Sequence, residues 1–169
     1  MNIATKQLSA SLEDYLEAIY ILSQSGQVAR SKNIADHLQV ARPSVTGALR
    51  SLAEKQLIHY KPYGYITLTE KGYRTAGRIA RRHEALESFF CDVLGVAPEI
   101  ARRSACLAEH AIGPEITLRL TAYLEFLAEE NMAGRGLSEL FEAFCRERLE
   151  DIKSFYRRKI EETSKHLNP

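Results

Sequence analysis

Cys106, Glu109 and His110 form a C-x-x-E-H run whose residue types are all ligands for a divalent transition metal. Within a helix, positions three and four apart share a face, so this spacing gathers a thiolate, a carboxylate and an imidazole on one patch. Two further groups could complete it. His83 stands with Glu87 one turn later, and Asp14 and Glu17 stand three apart near the N-terminus, away from the apolar stripe of their helix. Taken singly, each has an ordinary explanation: a buried free cysteine beside a surface Glu-His pair, a hydrogen-bonded core histidine, two solvated carboxylates. Only their convergence would make a site, so the elements that carry them decide the matter.

Leu12, Tyr15, Leu16, Ile19 and Leu22 recur at helical spacing and predict a first helix from about Ser11 to Ser23, broken at Ser25 and Gly26. A short helix follows from Ser31, its expected N-cap, to about Leu38. Pro43 suits the first turn of a third helix, with Val45, Ala48, Leu49 and Leu52 inward. Leu57–Tyr60 and Tyr65–Leu68 then read as the two strands of a hairpin. A long helix is expected from Glu70 to Leu94, ended by Gly95; another from Pro98 to about Ile112; and a third from Pro114 to about Glu130. After a linker, Leu137, Leu140, Phe141, Phe144, Leu149, Ile152, Phe155, Tyr156 and Ile160 mark an amphipathic helix from about Ser138 to Ser164.

Helix, short helix, tight turn, helix and hairpin is the order of a winged helix-turn-helix, whose recognition helix enters the major groove of double-stranded DNA. Opposite its apolar stripe, the helix beginning at Pro43 presents Thr46, Gly47 and Arg50, with Ser44 at the edge and Arg42 just ahead. Small residues permit close approach to base edges, and arginine holds a phosphate or a guanine. The hairpin tip adds Lys61, Tyr63 and Tyr65 as a wing. Charge follows the same division: residues 1–82 hold 12 Lys/Arg against 6 Asp/Glu, whereas residues 83–169 hold 11 against 16. A basic module for a polyanion joined to an acidic module fits that asymmetry better than the overall net charge of +1 does.

The remaining features exclude other classes. Three cysteines without a CxxC pair argue against a disulfide framework and for a reducing compartment. The N-terminus carries no secretory pattern and no apolar run is long enough to span a bilayer, so a cytoplasmic protein without membrane contact is expected. No phosphate-binding glycine loop, G-x-S-x-G turn or H-E-x-x-H is present, and no enzyme is expected.

The stretch from Ser11 to Tyr20 (SLEDYLEAIY), Ile34 with Ala35, Val45 with Thr46, and Leu68 to Gly72 (LTEKG) together resemble the diphtheria-toxin-repressor family of metal-dependent transcriptional repressors, over about Leu8 to Glu130. The resemblance implies a winged helix-turn-helix at 1–72 and a helical metal-binding and dimerisation domain at 73–130; with the linker and amphipathic helix that periodicity predicts at 131–169, a mainly α protein is expected. The resemblance implies Asp14, Glu17, His83, Cys106, Glu109 and His110 as metal ligands, while the helix-turn-helix pattern turns Arg42, Pro43, Ser44, Thr46, Gly47, Arg50, Lys61 and Tyr63 toward DNA. Asp14 and Glu17 match the manganese-responsive branch, while Cys106 matches the iron-responsive one. The implied ion is therefore Mn2+ or Fe2+, with Zn2+ or Co2+ also compatible with a thiolate. Arg102 stands where the iron branch's ancillary site would need a ligand, and that branch's third domain, built of short strands, has no counterpart in the helical C-terminal residues. The expected molecule is a homodimer on a pseudo-palindromic operator, repressing metal-homeostasis genes. The competing readings are a winged-helix regulator sensing an organic ligand, a small metal hydrolase with Glu109 as base, and an interaction protein that binds no DNA.

Overall fold

The computed structural model describes residues 8–26, 28–61, 64–132 and 136–167. The described residues fold into two compact units, one taking the chain up to Glu84 together with Ala105–Ile112, the other taking Ala85–Ser104 and the residues from Gly113 onward.

The first unit opens with α1 (Ala10–Gln24), started by Ser9, whose hydroxyl accepts from the Leu12 amide. Next come α2 (Ser31–Leu38) and α3 (Arg42–Glu54), the latter with its proline in the first turn as expected. Ser31 is not the cap of α2. Arg30 occupies that position in extended conformation with no side-chain bond, and the serine is the first helical residue. The α2–α3 turn is tight because Gln39 adopts φ +54°, and its neighbour Val40 donates back to the Ala35 carbonyl. The hairpin is shorter than the apolar runs suggested: β1 (Ile58–His59) pairs antiparallel with β2 (Thr67–Leu68), in register Ile58 to Leu68. The adjoining Ile66 amide bonds instead to Ala29, pinning the wing to the α1–α2 connection.

One apolar core unites these pieces. Leu16, Ile19, Ile34, Val45, Leu49 and Leu52 have no exposed surface and pack with Leu57, Ile58, Ile66, Ala76 and Ile79. Each such aliphatic side chain contributes about 1.5–3 kcal/mol on burial, which fixes α3 against α1 and the hairpin. The helix α4 (Glu70–Ser88) leaves the hairpin at once, and Gly72 is what permits it. A Cβ there would lie 1.8 Å from the Leu57 carbonyl oxygen, inside the backbone of the hairpin. The α4 helix is thereby tied to the wing at its start.

In the second unit the expected single helix to Leu94 is interrupted. After Ser88 the chain makes a π-helical turn, Phe89–Val93, with the Leu94 amide bonded back to Phe89, before Gly95 ends it at φ +66°. Phe89 meets Tyr123 edge-on in this unit. Three more helices are α5 (Pro98–Glu109), α6 (Pro114–Met132) and α7 (Leu137–Leu167), α5 giving its last residues to the first unit. Leu118, Leu140, Phe144 and Phe155 are at least half exposed. Among the described residues no helix is long and apolar enough to cross a membrane.

Candidate functional site

All six residues marked out as metal donors fall in the first unit: Asp14 and Glu17 on α1, His83 on α4, Cys106 and Glu109 on α5, and His110 just after it. The spacing argument holds within each helix, but the polar face of α1 is not solvated. Asp14 and Glu17 are half-buried, because Cys106 and Glu109 at the end of α5, and His110 after it, meet the face that the apolar stripe leaves unused.

Glu109 is the centre of the arrangement, and its side chain has no exposed surface. Its Oε2 lies 2.9 Å from His83 Nδ1. Its Oε1 is buried and makes no hydrogen bond; His110 Nε2 is 3.5 Å away, too far for one. Around it two three-donor groups meet, Asp14 with Cys106 and Glu109, and Glu17 with His83 and Glu109, the donor atoms in each within 4.8 Å of one another. His110 joins them through Nε2, 2.9 Å from Asp14 Oδ1.

These groups perturb one another as crowded anions do. Burial and then the Glu109 charge push the Glu17 carboxyl up to about 7. Burial raises Asp14, against the attraction of His110. The Cys106 thiol is raised by burial and by Glu109, Asp14 and Glu17. For His110, burial lowers the pKa, but the Glu13 hydrogen bond and the charges of Asp14, Glu109 and Glu13 outweigh it, and the net shift is upward. Three carboxylates, a thiol and two imidazoles thus meet around the buried Glu109, the thiol from the exposed side, and among the described residues no lysine or arginine side chain is paired with Asp14, Glu17 or Glu109. A buried carboxylate oxygen without a partner is costly, and a divalent cation is the partner that this donor set fits.

One contributor escaped the sequence reading. Glu13 Oε2 accepts from Arg82 at 2.7 Å and lies 3.0 Å from His110 Nδ1. Both residues adjoin marked positions, Glu13 beside Asp14 and Arg82 beside His83. Because neighbours on a helix point in different directions, only the fold shows that they meet.

The other face of the unit is the surface of α3. Arg42, Pro43, Ser44, Gly47 and Arg50 are exposed and Thr46 is half-buried, while Val45, Ala48, Leu49 and Leu52 are inside. Lys61 is exposed at the wing; Tyr63 lies outside the described residues. Tyr65 is fixed by Arg30, whose guanidinium donates to its hydroxyl at 3.1 Å and stacks over its ring at 4.8 Å.

Residues 7–66 match the model of the iron dependent repressor N-terminal DNA binding domain, and residues 69–134 match that of the iron dependent repressor metal binding and dimerisation domain. The chain is 34% identical over 119 residues to an uncharacterized HTH-type transcriptional regulator of Methanocaldococcus jannaschii, covering 70% of this chain and 95% of that one. It is 33% identical over 130 residues to the HTH-type transcriptional regulator MntR of Geobacillus kaustophilus, covering 77% of this chain and 92% of that one. Among solved structures, a manganese-dependent transcriptional repressor in complex with manganese superposes with a TM-score of 0.63 at 31% identity over 68% of this chain. The manganese regulator SloR does so with a TM-score of 0.61 at 28% identity, also over 68% of this chain. The chain spans about half the length of these two solved proteins, 53% and 54% respectively.

Proposed function

Since the chain belongs to the iron-dependent repressor family, we propose that it is a homodimeric, metal-activated repressor that binds double-stranded DNA through α3 and the wing, and that Asp14, Glu17, His83, Cys106, Glu109 and His110 hold the activating ion. The observation that carries this reading, and decides for a metal over an organic sensor ligand, is the buried Glu109 carboxylate. It is shared by two donor groups that draw on three helices and leave one of its oxygens unpartnered.

The donors' origin supplies the switch. Asp14 and Glu17 belong to the segment that matches the DNA-binding model, the others to the segment that matches the metal-binding model. Without a cation, the carboxylates repel, and the polar links of α1 to this end of α4 and α5 run through the histidines and Glu13. A bound divalent ion replaces that repulsion with attraction, biasing the helix-turn-helix toward one position. Dimerisation belongs to the second unit, whose exposed Leu118, Leu140 and Phe144 call for burial in an isologous interface. Two α3 helices in a symmetric dimer select a pseudo-palindrome with half-sites about one helical turn, or a multiple, apart.

The test is a mobility-shift titration against a pool of selected pseudo-palindromes, with and without Mn(II), Fe(II) and Zn(II). Metal-independent binding, or none, would refute the proposal. Within it, Arg50→Ala is expected to weaken DNA binding about 10- to 100-fold, the value of one good base or phosphate contact, with metal affinity unchanged by calorimetry. Wild-type DNA affinity in that variant would place the reading face elsewhere on the unit.

Metal choice rests on the single thiolate. Cys106 favours softer ions, while Asp14, Glu17 and Glu109 favour harder ones. Cys106→Glu is expected to move the activation profile toward Mn(II) and away from Zn(II) in the same titration. Cys106 is exposed, and unaltered profiles would mean that its thiol does not hold the ion.

A further inference from the structure

We infer that Glu13 is the positioning residue of the candidate metal site, fixing the His110 ring so that Nε2 faces the donor groups, and that Arg82 holds Glu13 in place for this task. The inference rests on the proposed metal site and adds two residues that do not themselves touch the ion.

The geometry has three parts. His110 is bracketed by two carboxylates on different edges of its ring: Glu13 Oε2 3.0 Å from Nδ1, and Asp14 Oδ1 2.9 Å from Nε2. The same Glu13 oxygen accepts from Arg82 at 2.7 Å. An oxygen engaged by a guanidinium, which has no acceptor, is itself an acceptor. The nitrogen facing it must therefore carry a hydrogen, and Nδ1–H donates to Glu13. That leaves Nε2 as the ring atom available to a cation, on the side where Asp14 and Glu109 lie. Ligating histidines are commonly oriented by such a bond from their other nitrogen, and losing it costs about 10- to 100-fold in metal affinity.

The three residues also come from three elements. Glu13 lies on α1, Arg82 on α4, and His110 follows α5. All are largely buried, with side chains 15–18% exposed. Such pairs keep their geometry far better than surface ion pairs, because solvent does not compete for the donors. Glu13 and Arg82 thus hold the same three helices together that the donor groups draw on, and do so without a cation. This keeps the Nε2 edge of His110 aimed at the candidate site before an ion arrives.

The experiment uses the full chain. In the metal-free protein, 15N-detected imidazole spectra report whether His110 Nδ1 bears a hydrogen, and calorimetry with Mn(II) and Zn(II) reports affinity. Glu13→Gln keeps the shape but can present an amide N–H to the ring. It is expected to disturb the Nδ1–H state of His110 and to weaken metal binding about 10- to 100-fold, with helical content unchanged. Arg82→Lys is expected to retain most of the affinity, and Arg82→Met to lose it about as far as Glu13→Gln does. If Glu13→Gln binds metal as wild type does, or leaves the His110 signals unchanged, the inference is wrong. The underlying site is checked separately by His110→Ala: if that variant keeps wild-type affinity, the metal lies elsewhere and the proposed site fails with it.

Discussion

Asp14→Ala combined with Glu17→Ala is expected to abolish the metal dependence of DNA binding while leaving the fold and the dimer intact. Both residues lie on α1 outside its core-facing stripe, so neither removes apolar packing. What the change removes is the link between the helix-turn-helix and the remaining donors. Cys106, Glu109, His83 and His110 can still bind an ion weakly, but the binding free energy no longer depends on where α1 sits. By linkage, metal then has no leverage on DNA affinity, and the usual coupling of about 1–3 kcal/mol, or roughly 5- to 150-fold, falls to nothing. The readout is the ratio of operator affinities with and without Mn(II). Full activation in the double variant would confine the functional site to residues 83–110 and end the bridging model.

A second readout follows from the same crowding. Glu17 titrates near 7 in the folded chain, well above an ordinary carboxyl. A carboxyl with a raised folded pKa binds its proton more tightly in the folded than in the unfolded state. Its contribution is therefore fully present below the unfolded value and is lost as pH rises through about 7. The metal-free wild type should lose stability across that window in urea titrations, and the double variant should lose less.

Cys106 and Glu109 come together on one face of α5 as C-x-x-E-H implies, a pattern that local geometry alone can judge, while His110 lies just past the end of the helix. Pro43, Pro98 and Pro114 likewise marked helix starts correctly, since proline lacks the donor that a first turn leaves unused. The situation of Asp14 and Glu17 was not legible in the same way. Periodicity says which face of α1 is apolar; it does not say that another helix covers the polar face. Glu13 was missed for a related reason: its partners, Arg82 and His110, are 69 and 97 residues away. The misplaced cap at Ser31 and the π turn at Phe89–Val93 are failures of another kind. In both, the periodicity of the sequence marks a helix but not the residue at which its hydrogen-bond pattern starts or changes.

Glu109→Gln is expected to produce the largest loss of metal affinity of any single change, more than about 100-fold, and at the same time a more stable metal-free protein. The first effect follows from position, since Glu109 is the one donor common to both groups and its charge is removed from each. The second follows from burial. Glu109 is fully enclosed, has one oxygen without a hydrogen bond, and its charge raises Asp14, Glu17 and Cys106 alike. A glutamine of the same shape can still accept from His83, and its amide N–H groups can donate to the carboxylates of α1. Repulsion becomes hydrogen bonding, a change of about 0.5–2 kcal/mol in favour of the folded metal-free state. Natural chains keep strained groups of this kind where function needs them, and in the proposed site that strain would favour taking up a cation. Calorimetry with Mn(II) and urea denaturation of the metal-free protein separate the two effects. A variant that loses metal binding and stability together would make Glu109 a structural residue of the α1–α5 contact, and one that keeps metal binding would remove it from the site.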